Sequence, residues 1–125
     1  MRPRALIWIA LGVGAGVAAR RWLDVVEVRG NSMGPALQSG DRLLVARARP
    51  HPGAIVLAPD PRRPTRELIK RVHALGPDGV ILRGDNASAS TDGRTFGTIP
   101  RDEVTWRVIL RTGPLRRAGL IPRGQ

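Results

Sequence analysis

The stretch Glu67-Leu68-Ile69-Lys70-Arg71-Val72 predicts a β-strand that places a lysine on an apolar face. Side chains alternate between the two faces of a strand, so Leu68 and Val72 share a face with Lys70. The chain has 21 basic residues, and Lys70 is the only lysine among them. Arginine keeps its proton at any accessible pH, whereas a desolvated lysine can act as a general base. The strand therefore predicts a lysine that is used for its chemistry.

A serine nucleophile is one partner that such a base can activate. Ser32 follows the strand-like run 25–28 and precedes a Gly-Pro turn. A nucleophile on a tight turn exposes its hydroxyl and leaves nearby backbone N–H groups free to bind an oxyanion. The other serines of the chain are Ser39, Ser88 and Ser90. Ser32 is therefore the candidate nucleophile.

The pattern of the whole chain predicts a mainly β fold of short antiparallel strands with Greek-key or barrel-like closure. Eleven prolines and fifteen glycines indicate many turns and argue against a helical bundle. The length of 125 residues suits one domain, expected over residues 23–111 and followed by a flexible tail over 112–125. The predicted strands are 25–28, 42–48, 54–58, 67–74, 80–82 and 103–110, with a loop at 59–64 and a hairpin turn at 76–79.

The segment 1–22 differs in composition and predicts an N-terminal hydrophobic helix. Arginines flank an uncharged run from Ala5 to Ala19, which as a helix is about 22 Å long. This is shorter than the ~30 Å hydrocarbon core, but arginines can snorkel, and Trp8 and Trp22 suit the membrane interface. A single-pass membrane anchor is the expectation. A packed or peripheral helix and a cleaved signal peptide are the alternatives.

Charge and composition limit the other function classes. The net charge of +11 attracts phosphate groups, yet the four aromatic residues are scattered and offer no stacking platform for a nucleic acid. Without cysteine and with only two histidines, no metal or cofactor is expected. A histidine base is an alternative to the lysine, but His51 lies in a Pro-His-Pro loop, and His73 faces away from Lys70 in a regular strand.

Several short motifs occur in an order that resembles the type I signal peptidase family, serine proteases with a Ser/Lys dyad. Each motif alone is weak, and the resemblance rests on the whole set from about Val26 to Val108. The motifs are residues 30–35, Gly40-Asp41 followed by the apolar residues 43–45, Pro52-Gly53 followed by residues 54–56, residues 69–72, residues 83–86 and residues 90–97. Only 13 residues separate Lys70 from Gly84, so the chain is similar to a minimal catalytic core.

The resemblance assigns expected roles to individual residues. Ser32 matches the nucleophile and Lys70 the general base, while Ser90 matches a serine whose hydroxyl orients the lysine. The remaining matches are structural, namely a turn beside the dyad at Gly84, Asp85 and Asn86 and an ion pair at Asp92 and Arg94. Gly30 departs from the pattern, because many members carry a hydroxyl there that serves the oxyanion hole.

The implied function is removal of N-terminal signal or pro-segments from precursor proteins that carry small residues before the cut. The catalytic domain would be membrane-anchored and extracytoplasmic, or cytoplasmic if the N-terminal segment is no anchor. The compact core is also similar to proteases that mature nickel superoxide dismutase, which is the alternative. A self-cleaving protein of the LexA type and a basic nucleic-acid-binding module are weaker alternatives.

Overall fold

A computed structural model describes residues 21–86 and 97–121 and consists mainly of β-strands. The seven strands are β1 (Leu23–Glu27), β2 (Arg42–Arg47), β3 (Ile55–Asp60), β4 (Arg63–Gly76), β5 (Gly79–Arg83), β6 (Thr98–Ile99) and β7 (Trp106–Gly113). They form one antiparallel sheet in the order β1-β2-β7-β3-β4-β5-β6, which confirms the predicted fold class. Within the described ranges, no helix is long and apolar enough to cross a membrane. Residues 1–20 of the predicted hydrophobic helix lie outside these ranges.

Strand β4 is longer than predicted and replaces most of the expected loop at 59–64. β3 continues to Asp60 and β4 begins at Arg63, which leaves a turn of two residues. The Asp60 side chain is buried and accepts hydrogen bonds from the Arg62 backbone N–H at 2.9 Å and from Nε at 3.2 Å. These bonds close the turn and allow the strands to pair as far as Asp60 and Arg63. The predicted loop was therefore wrong.

The two faces of β3 belong to different core clusters. Val56 and Ala58 pack with residues of β4, β5 and β6, whereas Ile55 and Leu57 pack with the residues around the Ser32 turn. Alternating side chains of one strand can enter two clusters only when both faces of that strand are covered. β3 is accordingly buried throughout except at Pro59, which is half-buried.

The hairpin between β4 and β5 has the predicted turn, with Gly76 paired to Gly79. Gly79 has φ +138°, and a Cβ at this position would overlap the carbonyl oxygen of Ile99 in β6. Glycine is thus required for the close approach of the two chains. β6 itself has only two residues and was not predicted from the sequence.

The C-terminal segment returns to the sheet after β7. The expected final strand began at residue 103, but Arg101–Glu103 form a 3₁₀ turn and β7 runs from Trp106 to Gly113. Arg111 of β7 and Gly119 exchange two backbone hydrogen bonds of 2.8 Å. The Arg117 side chain also pairs with buried Asp41. The sequence predicts a flexible tail from residue 112. The described part of this segment ends at Ile121, and within it Gly119 and Arg117 make the contacts given above.

Candidate active site

Ser32 and Lys70 line the same cavity, which has a volume of about 330 Å³. Ser32 lies on the turn that follows β1, and Lys70 lies in the middle of β4. Lys70 is 4% exposed, whereas Ser32 is half-buried. The two residues that the sequence singles out, 38 positions apart, are thus brought to one site by the fold.

The strand face that carries Lys70 is apolar, as predicted. Leu68 and Val72 are 6% and 1% exposed, and both lie on the Lys70 side of β4. Ile69 and Arg71 alternate with them and are only half-buried. Leu68 and Val72 thus place hydrocarbon on both sides of the buried lysine along the strand.

The Ser32 turn is fixed by its own backbone and by the core beneath it. The Gly34 N–H donates to the Asn31 carbonyl at 3.1 Å, and the Leu37 N–H donates to the Met33 carbonyl at 2.9 Å. Met33 and Leu37 are both buried in the core cluster that also holds Ile55 and Leu57. Two buried side chains thus anchor the turn on either side of its Gly-Pro step.

The turn at Gly84, Asp85 and Asn86 connects the serine turn to the lysine strand. The Asn86 backbone N–H donates to the Ser32 carbonyl at 2.8 Å, and its side-chain amide donates to the Asn31 carbonyl at 3.2 Å. The structure therefore places the predicted turn beside the Ser32 turn.

Arg71, which sequence reasoning did not single out, holds this turn to β4. Its Nε and Nη2 donate to the two oxygens of Asp85 at 2.9 and 2.8 Å, and its Nη1 donates to the Gly53 carbonyl at 2.8 Å. Such a two-bond arginine–carboxylate pair fixes the relative orientation of both groups. Sequence reasoning interpreted Asp85 as a turn residue and Arg71 as part of a motif. Two features of the sequence could have indicated this pair. Arg71 directly follows the lysine, and Asp85 is an acidic residue just after the next strand.

Charged side chains of both signs surround the cavity. Arg29, Arg62 and Arg66 line it together with Glu27 and Glu67. Partial desolvation raises the pKa of Glu67, and the negative charge of Asp24 raises it further. Hydrogen bonds from the Arg62 side chain and backbone hold the pKa of Asp60 below its ordinary value, although burial opposes them.

Some sequence-predicted residues do not meet at this cavity or lie outside the described residues. Four of these residues lie outside the described ranges, namely Ser88, Ser90, Asp92 and Arg94. Both His51 and His73 are exposed, and neither lines the cavity. Over residues 21–86 and 97–121, no group of three or more acidic or histidine side chains is arranged to hold a metal ion.

Gly30 lines the cavity with φ +85°, in the left-handed region that L-residues rarely adopt. Nothing lies within 4 Å of the position where its Cβ would stand. The backbone conformation, rather than lack of space, therefore favours glycine where the resemblance leads one to expect a hydroxyl-bearing residue.

Comparison with known proteins places this chain in a family. The family model described as "Signal peptidase, peptidase S26" matches residues 3–84. Mitochondrial inner membrane protease subunit 1 of Xenopus tropicalis is 31% identical over 77% of this chain and 72% of its own length. The human protein of the same name is 29% identical over 78% and 74%, respectively. Mitochondrial ATP-independent inner membrane protease subunit 1a of Arabidopsis thaliana is 30% identical over 78% and 75%. The chain is therefore a peptidase that belongs to the signal peptidase family, peptidase S26.

Proposed function

We propose that this peptidase cleaves its substrates with a Ser32/Lys70 dyad and removes N-terminal signal or pro-segments from precursor proteins. The observation that carries the proposal is that the Ser32 turn and buried Lys70 line one cavity. Lys70 supplies basicity only when it is neutral, and the apolar face formed with Leu68 and Val72 favours that form.

The proposed reaction proceeds through an acyl-enzyme. Neutral Lys70 accepts the proton of the Ser32 hydroxyl as Oγ attacks the scissile carbonyl, and the resulting ammonium protonates the leaving amine. A water molecule, activated by the same lysine, then releases the acyl group. The backbone N–H of Ser32 stabilises the negative oxygen of each tetrahedral intermediate. In this proposal the Ser90 hydroxyl orients Lys70, while Asp92 and Arg94 form an ion pair that holds the adjoining loop.

Two strand edges that border the cavity support binding of an extended peptide. Residues 26–28 and residues 66–70 both line the cavity. The outer edge of β1 pairs with no other described strand, and β5 pairs with β4 only from Arg71 onward. A substrate strand can therefore add to these edges through main-chain hydrogen bonds, with alternate side chains directed into the cavity. We expect the cavity to accept substrates that have small residues one and three positions before the cut.

The membrane location belongs to the same proposal. Residues 1–22 anchor the protein, and residues 23–111 form the catalytic domain on the extracytoplasmic side. The relatives are named as inner membrane proteases, which supports a membrane context for this chain.

Substitution of the dyad tests the mechanism directly. Ser32→Ala and Lys70→Arg should each lower turnover by at least about 1000-fold, because the first removes the nucleophile and the second keeps the charge but not the basicity. Cleavage of a peptide with alanine at both small positions is followed by mass spectrometry, and circular dichroism checks the fold.

His51→Ala and His73→Ala are the matched controls and should retain wild-type turnover. A folded Lys70→Arg protein of normal activity would disprove the general-base assignment. Loss of activity in the His73→Ala control would instead favour a histidine base.

A further inference from the structure

A second cavity, of about 570 Å³, lies at the end of β1 opposite the Ser32 turn. Trp22 immediately precedes β1 and lines this cavity, whereas Ser32 follows the other end of the strand. The antiparallel partner places Ala46 opposite Leu23 and Arg42 opposite Glu27, so the loop after β2 meets Trp22 at the same end. The cavity is therefore separate from the candidate active site.

The lining of this cavity is cationic with one large indole. Arg47, Arg49 and Arg101 contribute positive charges, against which Asp102 is the single carboxylate among the lining residues. The Arg47 guanidinium lies over the Trp106 ring, 5.1 Å from its centre. Arg101 donates one hydrogen bond from Nη2 to the Gly76 carbonyl at 3.2 Å. An arginine has five N–H donors, so both anchored guanidinium groups can still bind phosphate oxygens.

The place of this cavity in the chain indicates the source of the phosphate. Trp22 is 63% exposed and comes directly after the pair Arg20-Arg21 and the uncharged run 5–19. Tryptophan is favoured at the level of lipid headgroups because one part of the indole is apolar and the other polar. The cavity thus lies where the proposed anchor joins the domain, and its net charge is opposite to that of an anionic lipid surface.

We propose that the cavity bordered by Trp22, Arg47, Arg49 and Arg101 binds the phosphate headgroup of an anionic phospholipid. The inference rests on the proposed membrane location and is independent of the Ser32/Lys70 assignment. Binding there would fix the end of β1 at the membrane surface and so set the height of the domain above it.

The test compares two double variants of the full chain that lose the same charge. Arg49→Gln/Arg101→Gln removes two cavity arginines, whereas Arg63→Gln/Arg116→Gln removes two exposed arginines that do not line the cavity. Each protein is held in neutral detergent micelles and titrated with phosphatidylglycerol or phosphatidylcholine. Native mass spectrometry then counts the lipid molecules retained.

Wild-type protein and the exposed-arginine control should retain phosphatidylglycerol at similar concentrations and should prefer it to phosphatidylcholine. The cavity variant should need about 25-fold more phosphatidylglycerol, since each of the two arginines near an anionic surface contributes a factor of roughly five. Circular dichroism and peptide cleavage check that both variants are folded.

Three outcomes would overturn the proposal. One is equal retention by the two folded variants, and another is equal retention of the two lipids by wild-type protein. The third is displacement of phosphatidylglycerol by millimolar inorganic phosphate or by a short oligonucleotide, which would indicate a soluble phosphate ligand. None of these outcomes bears on the dyad, whose own variants are tested by cleavage.

Discussion

Gly30 joins the chemistry of the active site to the conformation of the backbone. Its φ of +85° directs the chain from β1 into the Ser32 turn, and glycine adopts this angle without the steric cost that a Cβ imposes. A hydroxyl-bearing residue at this position would therefore introduce backbone strain, and this strain would oppose any stabilisation that its hydroxyl gives the oxyanion. The proposed mechanism accordingly uses the Ser32 N–H as its oxyanion donor.

Gly30→Ser should lower the free energy of unfolding by about 1–2 kcal/mol because serine must then adopt a left-handed conformation. Turnover should not rise, since the strained turn displaces Ser32. Urea unfolding and peptide cleavage measure the two effects.

The matched control is Gly76→Ser. Its backbone is outside the left-handed region, and an added Cβ meets nothing nearer than the Gly79 carbonyl at 3.9 Å. This substitution should be tolerated better than Gly30→Ser. Faster cleavage by a stable Gly30→Ser protein would contradict this view of the turn.

At the scale of elements, β4 uses its two faces for different purposes. Lys70 lies with Leu68 and Val72 on the buried face, while Arg71 on the other face binds Asp85 and the Gly53 carbonyl. The turn after β5 is thereby held where Asn86 can donate to the Ser32 carbonyl. One strand thus presents the candidate base and also ties down the segment that supports the nucleophile.

Asp85→Asn should lower the free energy of unfolding by about 1–3 kcal/mol, because it removes the charge from a mostly buried pair with Arg71. Turnover should fall as well, since the Asn86 bond to the Ser32 turn loses its support. Urea unfolding and cleavage kinetics test both effects. A variant with unchanged stability and turnover would show that the pair does not position the turn.

The segment after β7 contributes to the same region through Asp41, which is 2% exposed. Arg117 donates to both oxygens of Asp41, the Gln38 N–H donates to Oδ2, and Arg111 donates to Oδ2 and to the Ala36 carbonyl. Burial alone would raise the pKa of Asp41. The hydrogen bonds and the two arginine charges outweigh it, so the pKa lies below its ordinary value of 3.8. The end of the Ser32 loop is thus bound to the C-terminal segment by an ionised carboxylate.

Asp41→Asn should lower the free energy of unfolding at pH 7 by about 3–5 kcal/mol, because two partly buried arginines lose their counter-charge. The folded protein binds the Asp41 proton less tightly than the unfolded chain does. The contribution of the Asp41 carboxylate to stability is therefore complete above pH 3.8. It is lost as the pH falls through the lower pKa that Asp41 has in the folded protein.

Urea unfolding at pH 7 and near pH 3 measures this difference between variant and wild type, which should shrink at the lower pH. Asp78→Asn, at an exposed turn position, is the control and should change little at either pH. A difference that stays constant between the two pH values would exclude the carboxylate charge as its cause.

For the whole molecule, local patterns predicted those features whose cause is local. The alternation around Lys70 gave its buried face, and the Gly-Pro-Asp-Gly sequence gave the hairpin turn. The beginning of β4 carries no such alternation, and its pairing depends on the side chain of Asp60. The bond between Arg71 and Asp85 spans 14 residues and appears only when the strands are aligned. The candidate nucleophile and base were predicted from the chemistry of single residues, which is more local than the contacts that position them.

The position of β7 has a consequence for folding during synthesis of the protein. β7 lies between β2 and β3, although it is the last described strand in chain order. It joins a half-sheet of β1 and β2, whose connecting loop carries Ser32, to a half-sheet that carries Lys70 on β4. A ribosome makes the chain from its N-terminus, so both halves emerge before the strand that unites them. We therefore expect the nascent chain to hold the candidate nucleophile and base on separate half-sheets, and the proposed dyad to assemble only after β7 has been synthesised.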